Sequence, residues 1–334
     1  MTAAVWFGWF AWFLAAAAPS LGGEDSGEFA TAAVTLGISH APGYPLYALV
    51  GRLICVLPVG NPAFRLNLMS AGCAALACTI AFACVHGEAL RRFRHRPGVA
   101  VCAGLVAALV IGMAPALRGQ AAISDKYAVH LALFSVVVLA AWRGGRAPAL
   151  AFLTGLAFAH HLQTLYLVPA LAWLGWRRGI NIPRVRTALC AAVLALIGVS
   201  PKLVYPPIRA AQRPVLQLAD PVTPVRALAY LTARTYGARV RGPGAATRWR
   251  DVVARLGHET GWAGLATGVV GLVLLARGAP PGLGGLPWLT LATGLGLAAS
   301  LEITGFTTSQ GSWPAGWIST VFAAYPWEKG PWMT

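Results

Sequence analysis

The chain has 334 residues, of which 57% are hydrophobic and 11% are charged. Soluble domains carry about 25% charged residues, so this composition excludes an ordinary soluble protein and indicates a polytopic membrane protein. The formal net charge is +16, but most arginines lie in short clusters between apolar runs. That distribution is typical of loops beside membrane helices. We therefore expect the lipid bilayer, and no nucleic acid, as a partner.

Nine apolar runs are predicted as membrane helices because of their length and their content of Ala, Leu and Val. They are residues 3–19, 66–86, 98–116, 127–142, 148–160, 163–176, 187–205, 261–276 and 285–303. The first run lacks a basic segment before it, which favours a retained helix over a signal peptide. We predict an all-α fold in which residues 1–305 form one bundle of about nine transmembrane helices, with amphipathic helices in the outer loops.

The arginine clusters predict the orientation of this bundle. If the spans alternate, the basic loops after the second, fourth, sixth and eighth spans share one side, which the positive-inside rule makes cytoplasmic. Four polar segments then converge on the opposite face: residues 20–47, residues 117–130, the pair His160–His161 and the large loop 206–258. We expect an integral protein of a bacterial inner membrane whose functional site faces the periplasm.

The first outer loop holds three of the ten acidic residues in the chain, Glu24, Asp25 and Glu28. Asp25 and Glu28 have the spacing of a capping box, which accounts for one acid at a helix start. Carboxylates at membrane depth are unfavourable and are candidates for function, so we predict a chemical role for Asp25. A polar stripe at helical spacing predicts an amphipathic interfacial helix over 25–39.

The segment SHAPGYPLY predicts a turn, because Pro42 and Pro45 fix φ and Gly43 permits a sharp reversal. Such a turn would direct His40 towards the Asp25 helix, although His40 is also explained as a hydrogen-bonded structural histidine. Further polar residues follow between apolar runs, where they are unfavourable: Asp125, Lys126, Tyr127, His130, His160 and His161. Asp125 and Lys126 are also compatible with solvated loop charges.

A divalent cation held by the paired histidines with Asp25 or Glu28 is compatible with these residue types. No spacing selects such a site, and we assign no metal ligands and no cofactor.

The second outer loop is basic and amphipathic. Thr223 and Pro224 predict the start of a helix, and Gly237 predicts its end. The helix would present Arg226, Tyr230 and Arg234 on one face, and it is flanked by Arg209, Arg213, Arg239 and Arg241. Two interpretations stay open. The arginines bind anionic lipid head groups, or they form a phosphate pocket at the membrane surface, for which arginine is well suited.

Five segments occur in the order found in one protein family. They are EDSGEFATAAVTLGISHAPGYPLYALVGRL, PVGNPAFRLNLMSA, FAHHLQTLYLVPAL, PPIRAAQRP and LADP followed by YLTARTYG. Through them, residues 5–240 resemble a family of polytopic membrane proteins that is grouped with the GT-C glycosyltransferases. That family includes a vertebrate endoplasmic-reticulum protein O-mannosyltransferase.

The resemblance implies a GT-C-like fold and an inverting sugar transfer on the periplasmic or luminal face. The donor would be a polyprenyl-phosphate-linked sugar, with mannose the first choice, and the acceptor a hydroxyl of a protein Ser/Thr or of a glycan. Asp25 would be the catalytic carboxylate. The residues implied for donor or substrate binding are Glu28, His40, Tyr44, Asp125, Tyr127, His160, His161, Arg209 and Arg234. Asp125 stands where relatives often carry glutamate, and Arg209 is the first choice for the phosphate.

Residues 306–334 do not resemble the continuation of the family, so we expect them to be a divergent and truncated segment. Two other functions stay open: a transporter or flippase of a lipid-linked sugar, and a non-catalytic relative. Transporters often carry paired repeats. The sequence has one copy of the DSGE–HAPGYP unit, which favours an enzyme with a single asymmetric site.

Overall fold

The computed structural model describes residues 1–169, 171–172 and 185–234, and this part of the chain is helical. The helices are α1 (Thr2–Leu14), α2 (Ser26–Thr35), α3 (Pro45–Ile54), α4 (Pro62–Arg92), α5 (Pro97–Gly112), α6 (Pro115–Ala122), α7 (Lys126–Trp142), α8 (Ala147–His160), a 3-10 helix (Leu162–Leu167), α9 (Val185–Ala211) and α10 (Pro224–Leu231). Extended pairing in the same residues is limited to one bridge between Ile38 and Gln217. The prediction of an all-α fold is confirmed for the described residues.

Proline and short polar side chains set the helix starts. Pro45, Pro62 and Pro224 are first residues of their helices, where a missing N–H leaves no donor unsatisfied. The Asn61 side chain caps α4 by accepting from the backbone N–H of Phe64 at 2.9 Å. The predicted start of α10 is therefore confirmed, but the helix ends at Leu231 because Ala233 adopts a left-handed conformation with φ 52°.

Two described helices are long and apolar enough to cross a membrane, Pro62–Arg91 and Val185–Ala211. Helices α5 and α6 make a third candidate if the pair, bent by 67°, is one span. The predicted span 98–116 covers α5 and the start of α6, because Pro115 begins a new helix after the bend. Helices α1, α3, α7 and α8 are apolar but shorter.

A bundle of nine transmembrane helices is not confirmed by these residues. The predicted spans 261–276 and 285–303, residues 170 and 173–176 of the span 163–176, and the segment 306–334 lie outside the described residues. The apolar helices that are present agree with a membrane protein.

Helix α4 is the centre of the described bundle and packs against α1, α5 and α7. One core group joins it to α1 and α5 through Phe13, Cys78 and Phe82. A second core group packs α2 and α3 against α4 through Phe29, Tyr47 and Leu66. The second group positions the first outer loop, because both of the helices in that loop bury aromatic side chains in it.

Helices α8 and α9 pack closely at a pair of glycines. A Cβ added to Gly198 would lie 2.4 Å from the carbonyl oxygen of Phe152, and one added to Gly155 would lie 2.6 Å from that of Ala195. Small residues permit such backbone contact between membrane helices. The contact fixes the end of α8, where the histidine pair lies, against α9.

The predicted interfacial helix 25–39 is too long. Helix α2 ends at Thr35 because Leu36 adopts a left-handed conformation with φ 51°. The hydroxyl of Thr35 donates back to the Thr31 carbonyl at 2.7 Å, so this part of the polar stripe is satisfied within the helix. Ser39 lies beyond the helix, next to Ile38, which pairs with the second outer loop at Gln217.

Candidate active site

The carboxylate of Asp25 lies at the N-cap of α2 and forms an ion pair with Lys126. The Nζ of Lys126 donates to Oδ2 of Asp25 at 2.8 Å and to Oδ1 of Asp125 at 3.1 Å. The side chain of Lys126 is 3% exposed, whereas that of Asp25 is 38% exposed. A buried ammonium therefore holds one oxygen of a carboxylate that remains accessible from outside.

Three aromatic rings surround the same ammonium. Nζ of Lys126 lies 4.5 Å from the ring centroid of Tyr127, 5.0 Å from that of Phe29 and 5.7 Å from that of Tyr44. Aromatic faces attract a cation and are most effective where water is excluded. We call Lys126, Asp25, Asp125 and these three rings the lysine cluster.

Hydrogen bonds between two distant segments bring Asp25 to Lys126. The hydroxyls of Ser26 and Ser124 are 2.7 Å apart, and the Ser124 hydroxyl also donates to the Ser26 carbonyl at 3.2 Å. Asn67 of α4 donates to the carbonyls of Ala18 and Ser20, at 2.7 and 2.8 Å. The loop before α2 is thus fixed both to the segment before α7 and to the central helix.

Glu28 lies one turn into α2 and holds His40. Oε1 of Glu28 accepts from the backbone N–H of His40 at 2.8 Å and lies 2.8 Å from Nδ1 of the same residue. The His40 ring packs edge-on against Phe29 and Tyr44. The predicted proximity of His40 to the Asp25 helix is therefore observed, and Glu28 provides the contact.

The turn after His40 is held by the second outer loop and by α9. Gly43 has φ 80°, and a Cβ there would lie 2.4 Å from the hydroxyl oxygen of Tyr230. That hydroxyl donates to the Ser39 carbonyl at 2.8 Å. Lys202 of α9 donates to the carbonyls of Pro42 and Gly43, each at 3.1 Å. The turn thus requires glycine for both its backbone conformation and its close contact.

Asp25, Glu28 and His40 offer ligand atoms within 4.8 Å of one another, which is the one such group among the described residues. Two carboxylates and an imidazole fit a divalent cation by their chemistry. The ammonium of Lys126 already binds Asp25, and its positive charge disfavours a second cation beside it. The described residues form no such group from the histidine pair with Asp25 or Glu28.

The histidine pair packs against Tyr44 and the backbone of Lys126. The ring of His160 contacts the Lys126 carbonyl through Nε2 at 2.9 Å, and the His161 ring centroid lies 5.7 Å from that of Tyr44 and 4.8 Å from that of His130. All three histidines are buried. Both nitrogens of His130 find no hydrogen-bond partner among the described residues. Binding of substrate by the pair stays a prediction.

The arginines of the second loop have other contacts. Arg209 donates to the carbonyls of Leu36 and Thr35, at 2.7 and 3.0 Å, which satisfies the C-terminus of α2. Arg226 forms an exposed ion pair with Asp220 at 2.6 Å. The predicted common face of this helix is wrong, because Tyr230 is buried against the first loop and Arg234 falls beyond the helix end.

Arg234 is exposed, and Arg239 and Arg241 lie outside the described residues. Phosphate binding by Arg209 and Arg234 remains a prediction.

Two lysines, Lys126 and Lys202, contact the first loop, and the sequence pattern did not predict this. The interpretation of Asp125 and Lys126 as solvated loop charges is wrong, because both are buried and joined to Asp25. Lys202 was not predicted, although it is a lone lysine within the apolar run 187–205. An ionisable residue in such a run is a functional signal in its own right.

The lysine cluster sets the protonation of both acids. Burial raises the pKa of the Asp25 carboxyl, but the charge and hydrogen bond of Lys126 outweigh burial, so this pKa lies below its ordinary value of 3.8. Burial also raises the pKa of Asp125, to about 6, and there the charge of Lys126 does not compensate. Asp25 is therefore ionised at neutral pH and can accept a proton.

The fold and the site together define a helical membrane protein with an ionised acid at the end of its bundle. Residues 25–181 match the family model described as the N-terminal domain of protein O-mannosyl-transferase TMEM260. A stretch of 64 residues is 47% identical to "Protein O-mannosyl-transferase TMEM260" of Mus musculus, and it covers 19% of this chain and 9% of the mouse protein. No solved structure matches the chain.

These matches confirm the resemblance to the O-mannosyltransferase-like family that the motifs predicted. At the level of the family they support a glycosyltransferase. The matched residues 25–181 include Asp25, the lysine cluster and the histidine pair, whereas Arg209 and Arg234 lie outside them.

Proposed function

We propose that this chain is a membrane glycosyltransferase of GT-C type that moves a sugar, with mannose the first choice, from a polyprenyl phosphate to a hydroxyl acceptor. The acceptor class is a protein Ser/Thr side chain. One observation carries the proposal: a half-buried carboxylate, Asp25, begins the family-matched region and is paired at 2.8 Å with a buried ammonium. Such a carboxylate is ionised and accessible, as a general base must be.

The proposed reaction uses the Asp25 oxygen that Lys126 does not hold. This oxygen accepts the proton of the acceptor hydroxyl while the acceptor oxygen attacks the anomeric carbon from the face opposite the phosphate. The bond from that carbon to the acceptor oxygen forms as the bond to the phosphate oxygen breaks. The polyprenyl phosphate leaves as an anion, and the configuration at the anomeric carbon is inverted.

The leaving anion requires cations or hydrogen-bond donors. His40 is the nearest of the predicted groups, because its ring nitrogen lies within 4.8 Å of a carboxylate oxygen of Asp25. Glu28 contacts Nδ1 of that ring at 2.8 Å. Arg209 would have to exchange its bonds to the carbonyls of α2 before it could bind a phosphate. We therefore assign His40 to the donor phosphate ahead of Arg209.

The arginine clusters between the apolar runs support a periplasmic or luminal position for this site. In that arrangement the polyprenyl chain lies in the bilayer and the sugar reaches Asp25 at the membrane surface. A bacterial inner membrane is the proposed location.

The first test is sugar transfer by purified protein in lipid, with labelled mannosyl polyprenyl phosphate as donor and a membrane extract as the source of acceptors. We expect transfer by wild type and near-complete loss in Asp25→Asn, because the amide cannot accept the proton. Asp220→Asn is the matched control, since Asp220 lies in an exposed ion pair; it should transfer normally. Equal transfer by Asp25→Asn and wild type would contradict the proposal. Movement of labelled donor across the vesicle without transfer would favour a flippase instead.

A further inference from the structure

Lys126 is the residue on which the lysine cluster is built. Its ammonium contacts Asp25 and Asp125 together, at 2.8 and 3.1 Å, and its side chain is almost fully buried. A lysine on the surface would sample many rotamers, whereas this one is held by two carboxylates and three aromatic rings. It therefore presents a positive charge at one defined point beside Asp25.

We propose that Lys126 is the positioning residue for Asp25: it fixes one carboxylate oxygen and keeps the group ionised, so that the other oxygen faces the acceptor. This inference rests on the proposed function of Asp25. It adds a residue that acts through Asp25 and that does not itself bind the reacting atoms.

Asp125 anchors the ammonium from behind. Oδ1 of Asp125 accepts from both the backbone N–H and the Nζ of Lys126, which folds the lysine side chain over its own N-cap. Asp125 is fully buried, whereas Asp25 is partly exposed. The two carboxylates thus differ in access to substrate, and Asp125 is the supporting partner of the pair.

The charges around this pair keep Asp25 ionised at neutral pH. One ammonium faces two carboxylates, so the cluster has a net charge of about −1 when all three groups are ionised. Glu28 and His40 each offer a ligand atom within 4.8 Å of one from Asp25. The titratable groups facing Lys126 are Asp25, Asp125, Tyr44 and Tyr127. His160 contacts the Lys126 carbonyl, and the charges of Lys126 and Lys202 both act on His160 and His161.

The inference predicts a change in the pH profile of transfer. Removal of the ammonium leaves burial as the main influence on Asp25, so its pKa rises. An opposite charge at this distance lowers a carboxyl pKa by roughly 1–3 units. In the profile of kcat/KM against pH, the rise at low pH (the acid limb) reports ionisation of Asp25. This limb should therefore move to higher pH by about that amount in Lys126→Met. In Lys126→Arg, which keeps the charge, the limb should stay near its wild-type position.

Two further variants separate positioning from folding. Lys126→Met leaves two carboxylates near one another, and the double variant Lys126→Met with Asp125→Asn removes that repulsion while keeping the loss of the ammonium. Its limb should still move to higher pH than in wild type, but by less than in the single variant, because Asp125 no longer adds a like charge. Asp125→Asn alone keeps the Lys126–Asp25 pair, and its limb should not move upward. A purely structural role of Lys126 would lower transfer at every pH without moving the limb.

A second readout does not depend on transfer. Isotope-edited infrared titration of 13C-aspartate-labelled protein, with Asp25→Asn as the difference reference, gives the pKa of Asp25 directly. We expect this pKa to rise in Lys126→Met and to stay low in Lys126→Arg. An unchanged pKa and an unchanged limb in Lys126→Met would overturn the inference. Failure of wild type to transfer any sugar would instead reject the proposed function, and the titration would still decide the role of Lys126.

Discussion

Two regions of this protein place positively charged side chains beside acids or carbonyls, and they differ in burial. In the lysine cluster one ammonium is buried and contacts an accessible acid. In the second outer loop, Arg226 lies in an ion pair whose two side chains are 63% and 50% exposed, and the guanidinium of Arg209 serves the end of a helix. Burial raises the strength of a charge interaction because water no longer screens it. The number of charges in a segment is thus a poorer indicator of a site than their burial.

The largest effect is expected where the first loop meets the second. Gly43→Ala should destabilise the protein by at least about 1–3 kcal/mol, because alanine is strained at positive φ and its Cβ would overlap the Tyr230 ring. Gly27→Ala is the matched control, since open space surrounds its Cβ position and alanine favours a helix. Thermal unfolding in detergent would measure both. Equal melting temperatures would show that the turn does not need glycine.

Two arginine variants compare the outer charges directly. Arg209→Ala should lower stability by about 1–3 kcal/mol, because it leaves the carbonyls of Thr35 and Leu36 without their donor. Arg226→Ala should change it by about 0–1 kcal/mol, as expected of an exposed ion pair. Chemical denaturation gives the stability, and the KM for donor gives the function. A large rise in donor KM for Arg209→Ala at unchanged stability would restore Arg209 as a phosphate ligand.

The pH dependence of stability should report Asp125. Its folded pKa of about 6 lies above the ordinary value of 3.8, so the folded state binds this proton more tightly than the unfolded state does. The contribution of Asp125 is therefore most favourable below about pH 4 and is lost as the pH rises through about 6. Asp125→Asn should flatten this part of the profile of melting temperature against pH. An identical slope in the variant and wild type would contradict the assignment.

The smallest effect is expected from chelation. Because Lys126 already places a cation on Asp25, EDTA should leave the rate of transfer unchanged within about twofold. The measurement is transfer before and after chelation, with magnesium and manganese added back. Loss of transfer with EDTA and its recovery with a divalent ion would assign Asp25, Glu28 and His40 as metal ligands. The ammonium of Lys126 would then not be the only cation that acts on Asp25.

Much of the described fold follows from apolar patterning. The runs 127–142, 148–160 and 187–205 coincide within a few residues with α7, α8 and the centre of α9. Helix α3 was not predicted. Pro42, Gly43 and Pro45 were interpreted as a turn, although Pro45 is also a favourable first residue of a helix. The end of α2 depends on Leu36, which adopts a left-handed conformation that leucine does not predict.

In the candidate site, some residues are indicated by the sequence and others only by the fold. Asp25, Glu28 and His40 stand out because acids are rare in this chain and a rigid turn follows them. Lys126 was given a solvated alternative because its sequence neighbours are polar, and only the fold shows that Asp25 and aromatic rings enclose it. Lys202 is hidden by averaging over an apolar window. Arg209 was predicted to bind phosphate because of its charge, whereas the structure shows it donating to carbonyls at the end of α2.

The ion pair at the centre of the lysine cluster joins residues that are 101 positions apart in the chain. During synthesis, Asp25 therefore leaves the ribosome long before its ammonium partner exists, and helices α2 to α6 must be made in the interval. Until the start of α7 docks, Asp25 lacks the ammonium that holds its pKa below the ordinary value. The assembled site is thus a late product of biogenesis, and a nascent chain that ends before Lys126 does not contain it.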